Sequence, residues 1–109
     1  MPAYNRLHFG YSKRDADRVT KYIVQFKFGN CRLFDYQMGD KLLWGGYEKG
    51  VPGKKRVVVH GVAESGEGIS DDPEYWLVFI ENDVIKSVAP DDGRYNFKSR
   101  DGHHLVLAD

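Results

Sequence analysis

Apolar positions along this chain fall into short runs separated by glycines and turn pairs, a pattern of strands rather than of long helices. Tyr22, Val24, Phe26 and Phe28 alternate with Ile23, Gln25 and Lys27, which predicts a strand over 21–28. Ahead of it, Ser12-Lys13-Arg14-Asp15 has the form of a capping box, and Ala16, Val19 and Ile23 stand at helical spacing. A short N-terminal helix over 13–19 is therefore expected before the strand. Gly29-Asn30 suits a hairpin turn with positive φ, giving a return strand over 31–36.

Further strands are expected over 41–44 and 55–62, with a glycine-rich loop over 45–53 between them. In the second, Val57 and Val59 share one face, and Val58 and His60 share the other. Residues 75–80 are apolar on both faces, which predicts a central strand. Glu81-Asn82-Asp83 turns the chain into 84–88, and Asp92-Gly93 and Asp101-Gly102 set off strands over 94–98 and 103–107. The fold expected is all-β or β-rich α+β: a single small barrel or strongly curved antiparallel sheet with a short N-terminal helix. No linker, repeat or low-complexity stretch interrupts the chain, so one compact domain over 1–109 is expected.

Residues 38–62 carry a Gly39-Asp40 pair, an apolar stretch ending in Trp44, a glycine loop and the Val57–Val59 run. This order resembles the opening hairpin of small SH3-like barrels, with Leu42 and Leu43 before the tryptophan and no glycine opening the valine run. The resemblance covers about a quarter of the chain and implies a fold, not an activity.

Composition narrows the class. The chain has 109 residues, 41% of them hydrophobic, enough for a core. Arg6, Lys13, Arg14, Asp15, Asp17 and Arg18 leave no room for an apolar leader in the first twenty residues, and no run approaches the roughly 20 apolar residues of a membrane helix. Cys31 is the single cysteine, so no internal disulfide can form and a reducing, cytoplasmic setting is expected.

No familiar catalytic constellation is present. His8, His60, His103, His104 and Cys31 lack the close pairing that clamps a tetrahedral metal, and adjacent His103 and His104 on a strand point to opposite faces. Asp71-Asp72-Pro73-Glu74 lacks the alternating carboxylates of a calcium loop. Ser65 lacks a nucleophile elbow, and Gly66 and Gly68 lack the Lys-Ser/Thr of a phosphate loop. Cys31 beside Arg32 would need a base such as His60 at hydrogen-bond distance. The sequence thus predicts no catalytic residue, no metal and no cofactor; a small enzyme of unknown class is the weakest of three readings.

Charge gives the strongest hint. Residues 1–56 hold 12 Lys/Arg against 5 Asp/Glu, and residues 57–109 hold 4 against 11, so two halves of +7 and −7 sum to zero. Opposite charges on neighbouring strands would cancel this asymmetry; segregated ones would mark a partner surface. The favoured reading is a non-enzymatic interaction module, most concretely a small inhibitor or immunity-type protein masking a basic toxin or enzyme. Its contact set would be the acidic loops Glu64, Glu67, Asp71, Asp72, Glu74, Asp91 and Asp92, with Trp76 supplying apolar contact. The alternative is a nucleic-acid-binding β-barrel using Lys54, Lys55, Arg56, Lys27 and Arg32, helped by aromatics in the basic half. A pI near 6.9 speaks against it. Either a monomer or a homodimer is compatible with opposite-charge faces.

Overall fold

A computed structural model describes residues 4–12, 19–64, 74–97 and 104–107. Its first two strands, β1 (Asn5–Ser12) and β2 (Val19–Phe26), pair antiparallel from Asn5↔Phe26 to Ser12↔Val19. Strand β1 escaped the sequence reading although Leu7, Phe9 and Tyr11 alternate along it. The helix expected over 13–19 falls on residues 13–18, outside the described residues, and Val19 opens β2 instead. No helix occurs among the described residues.

The chain then forms β3 (Gly29–Asn30), β4 (Asp35–Gln37), β5 (Glu48–Lys49), β6 (Val57–Ala63), β7 (Tyr75–Glu81), β8 (Val84–Pro90) and β9 (His104–Val106). Seven of the strands make one curled sheet in the order β4-β1-β2-β6-β7-β8, with β9 paired to β6; β3 and β5 form a separate pair. The curl is closed at one end by residues 39–42. Ile85 donates its amide to Asp40 and accepts from Gly39, and Leu42 donates to the Asp83 carbonyl. The result is a half-barrel, the coarse form the sequence predicts.

Three expected local pairings are replaced by others. Gly29-Asn30 is not a hairpin turn, because both edges of β2 are already taken, one by β1 and the other by β6. Asn30 and Cys31 donate instead to the carbonyls of Leu43 and Tyr47. The chain crosses to the far edge of β1, where Asp35–Gln37 pairs in parallel with Arg6–His8. Residues 41–44 make only a bridge, Lys41 to Val84, so 38–62 does not form the opening hairpin of the SH3-like pattern. No strand forms over 94–97, where Asp91 and Asp92 side chains instead accept the amides of Gly93 and Arg94 in a turn.

The core lies inside the curl. Leu7, Phe9, Tyr22, Val24, Phe26, Tyr36, Val57, Val59, Trp76, Val78, Ile80 and Ile85 form one buried cluster from alternate positions of six strands. Strand β7 is central, between β6 and β8, as its two apolar faces require; Leu77 on its outer face is also fully buried. Buried Asn5 ties the layers together: its Nδ2 donates to the Phe28 carbonyl at 3.0 Å and its Oδ1 accepts the Phe34 amide at 3.0 Å.

Candidate functional site

Strand alternation sends a second set of side chains to the outer face. Asp35, Arg6, Gln25, Val62 and Tyr75 stand in register across β4, β1, β2, β6 and β7. Arg6 donates to both Asp35 oxygens at 2.8 and 3.1 Å, and His8 Nε2 lies 2.7 Å from the same carboxylate. Gln25 donates to Glu64 at 3.1 Å, and Arg6 is 3.8 Å from that carboxylate. Hydrogen bonding to Arg6, then to His8, holds the Asp35 carboxyl below its ordinary range, and Asp35 in turn raises the Arg6 guanidinium. Sequence reasoning missed this network because it missed β1.

At one end of the sheet, β6 finishes, β7 begins and β8 finishes. Glu64 donates its amide to the Ile23 carbonyl, Ala63 to the Glu74 carbonyl and Asp91 to the Tyr75 carbonyl. Glu64, Glu74 and Asp91 therefore meet at this end, with Asp92 following and Tyr75 48% exposed among them. Glu67, Asp71 and Asp72 lie outside the described residues. Trp76 does not belong to this surface: it is 0% exposed, on the inner face against Phe9, Tyr11 and Tyr22, because it sits one position out of phase with Tyr75. Three of the carboxylates have nitrogen partners: Arg6 lies near Glu64, the His60 ring is 3.4 Å from Asp91 and Arg94 is 3.0 Å from Asp92. The Arg94 amide and guanidinium hold the Asp92 carboxyl below its ordinary range.

The basic residues named from the sequence lie away from the acidic end. Lys54, Lys55 and Arg56 are exposed just before β6, at its opposite end, where Asn82 donates to the Lys54 carbonyl. The length of β6, roughly 20 Å at about 3.3 Å per residue, separates them from Glu64. Asp83, in the acidic turn between β7 and β8, also lies at that far end, bonded to the Gly53 amide. Arg32 packs over the Tyr47 ring at 5.1 Å, and Lys27 lines a groove on the outer face.

That groove encloses about 460 Å³ and is lined by Gln25, Phe26, Lys27, His60, Val62, Tyr75 and Phe97. It opens where the sheet forks. Strand β2 pairs with β6 only at Gly61–Ala63, β9 takes over the same edge at Val57–Val59, and His60 stands between them. The imidazole stacks on Tyr75 with centroids 5.2 Å apart and meets Phe97 at 5.2 Å, while Asp91 holds its Nε2.

No family model, curated protein or solved structure matches this chain.

Cys31, the only thiol, contacts the Gly29 carbonyl and Asn5 Nδ2, and burial pushes it above its ordinary range, away from a reactive thiolate. His60 faces Asp91 and the groove instead, so the structure does not assemble a Cys31–His60 pair from these contacts. His104 packs on Phe28, and His103 lies outside the described residues. Among the described residues, no three His, Cys, Asp or Glu side chains gather as a metal site, and no helix is long and apolar enough to cross a membrane.

Proposed function

We propose that this domain is a non-enzymatic interaction module that captures a basic protein surface with the acidic end of its sheet, as a small inhibitor or immunity-type protein in the cytoplasm would. The observation that carries this reading is the meeting of Glu64, Glu74, Asp91 and Asp92 around half-exposed Tyr75. An exposed tyrosine within a charged rim has the layout of an interface anchor with steering charges around it. The nitrogen partners beside three of these carboxylates, two of them arginines, do not close the surface. Ion pairs open to solvent, such as Arg94 with Asp92, hold their partners weakly, so a partner's lysines and arginines can displace them. The nucleic-acid reading has less support, because a pI near 6.9 is unlike that of a typical nucleic-acid-binding domain.

The test is affinity capture from source-cell lysate at low salt with the wild type and a Glu74→Lys/Asp92→Lys variant. Both positions are exposed, so folding is expected to survive. A stoichiometric basic protein retained by the wild type, released by added salt and lost in the variant supports the reading. Recovery of no stoichiometric partner overturns it. Capture of single-stranded nucleic acid that depends on Lys54, Lys55 and Arg56 would move the function to the opposite end of β6.

A further inference from the structure

We propose that the outer-face groove is a binding site for a small planar aromatic anion, a flat ring bearing a carboxylate or a phosphate. Its volume of about 460 Å³ falls within the roughly 300–1,000 Å³ of ordinary small-molecule sites. The lining is specific in chemistry. Val62 supplies an apolar wall, and Tyr75 and Phe97 both meet the His60 imidazole at 5.2 Å, tilted to it by 25° and 49°. Tyr75, nearly half exposed, and Phe97 line the groove and offer aromatic surface to an inserted ring, a contact worth about 0.5–1.5 kcal/mol per pair beyond area burial.

Charge decides which ring. Lys27 is the fully charged side chain among the lining residues, and among the described residues no carboxylate is paired with it. Two acids that contact the groove's lining residues are already engaged, Glu64 by the Gln25 amide and Asp91 by His60. Lys27 lies four residues along the chain from Ile23, the residue that Glu64 bonds, so it stands at the end of the groove away from the acidic rim. An anionic substituent at Lys27 with the ring against Tyr75 and Phe97 satisfies both features at once. A neutral aromatic would satisfy only one. The groove shares Tyr75 with the partner surface, but Lys27 takes no part in the latter, so a Lys27 variant tests the groove alone.

The test is an NMR titration of the full isotope-labelled chain with three probes: naphthalene carboxylate, its neutral carboxamide, and naphthyl phosphate. Saturable shifts confined to Gln25, Lys27, His60, Val62, Tyr75 and Phe97 are expected. The better of the two anions is expected to bind about tenfold more tightly than the carboxamide, the effect of one charge-assisted hydrogen bond. Which anion wins identifies the substituent. Lys27→Met is expected to erase that difference while leaving carboxamide binding and the amide spectrum of the fold intact; Phe97→Leu is expected to weaken all three probes. Equal affinity for anion and carboxamide, a Lys27→Met variant that weakens both alike, or shifts that scatter without saturating would each overturn the proposal.

Discussion

Val24 fills the space that a side chain at Gly61 would need. Gly61 stands in register between Phe26 on β2 and Trp76 on β7, on the inner face, and a Cβ built there would overlap the Val24 Cγ1 methyl and press on the Gln25 carbonyl at 3.3 Å. Val24 is fully buried and has nowhere to retreat. Gly61→Ala is therefore expected to destabilise the fold by about 1–3 kcal/mol, the usual cost of overpacking a filled core, read as a lower denaturation midpoint. The companion change Val24→Ala in the same chain should recover part of the loss, since the two positions share one volume.

Trp76 shows why a binding role and a core role must be separated by measurement. Its indole touches Phe9, Tyr11 and Tyr22 with centroids all 5.1 Å away. Truncation to alanine is expected to cost about 3–5 kcal/mol, seen as a large fall in thermal midpoint by circular dichroism. Any loss of partner capture in that variant would follow from unfolding. Tyr75→Ala, by contrast, should leave the midpoint nearly unchanged while weakening capture, because nearly half of Tyr75 is in solvent.

Alternation made β6 legible from sequence and divided Val57 and Val59 from Val58 and His60 correctly; β7 was legible as an unbroken apolar run and β8 from the Glu81-Asn82-Asp83 turn ahead of it. Alternation was equally present in Leu7, Phe9 and Tyr11, where the capping-like Ser12–Asp15 pattern drew attention to a helix instead. What alternation does not carry is which strands are neighbours. The parallel pairing of Asp35–Gln37 with β1 and the shared edge of β6 are long-range choices made by the curl as a whole. The same limit explains Trp76. In the run from Tyr75 to Ile80 every residue is apolar, so the phase that buries Trp76 and exposes Tyr75 is fixed only by the neighbouring strands. The groove was illegible for a further reason: Gln25, His60, Tyr75 and Phe97 come from separate segments that meet only where the sheet forks.

The Arg6–Asp35–His8 cluster predicts a weak acid dependence of stability. Asp35 has a depressed folded pKa, so its contribution is present above the unfolded value of about 3.9 and is lost as pH falls through the folded value. Asp35 is half exposed, and solvent screening holds the effect below about 1 kcal/mol. Asp35→Asn should thus be slightly less stable than wild type at neutral pH, with the gap shrinking in added salt and closing at acid pH. Paired denaturation curves across that range check both trends.

Cys31 gives an opposite, alkaline dependence. Burial raises its thiol above the ordinary value of about 8.5, so the stabilisation it brings is full below that value and declines as pH rises through the folded one. Alkylation of the native chain at mildly alkaline pH should be slow and limited by opening of the fold, whereas denatured chain should react at once. Fast native labelling would contradict the enclosed site between Asn5 and Gly29.

The β7–β8 turn ties the end of the sheet near Lys54 to the closure of the curl, and its two residues are not equivalent. Asn82 and Asp83 both adopt positive φ, 50° and 67°, as a tight two-residue hairpin requires. Asp83 does more: its carboxylate accepts the Gly53 amide at 3.0 and 3.1 Å, and its carbonyl accepts the Leu42 amide at 2.7 Å. Asn82→Gly keeps the required backbone and should be neutral or stabilising by a few tenths of a kcal/mol. Asp83→Gly keeps the backbone too but removes the carboxylate, so about 1 kcal/mol of loss is expected from the Gly53 contact alone. Asp83→Val loses that contact and places a β-branched residue in the left-handed region, adding about 1–2 kcal/mol more. Denaturation midpoints should therefore fall in the order Asn82→Gly, Asp83→Gly, Asp83→Val. If Asp83→Gly proves as stable as Asn82→Gly, the turn is held by its backbone conformation and not by its tie to Gly53.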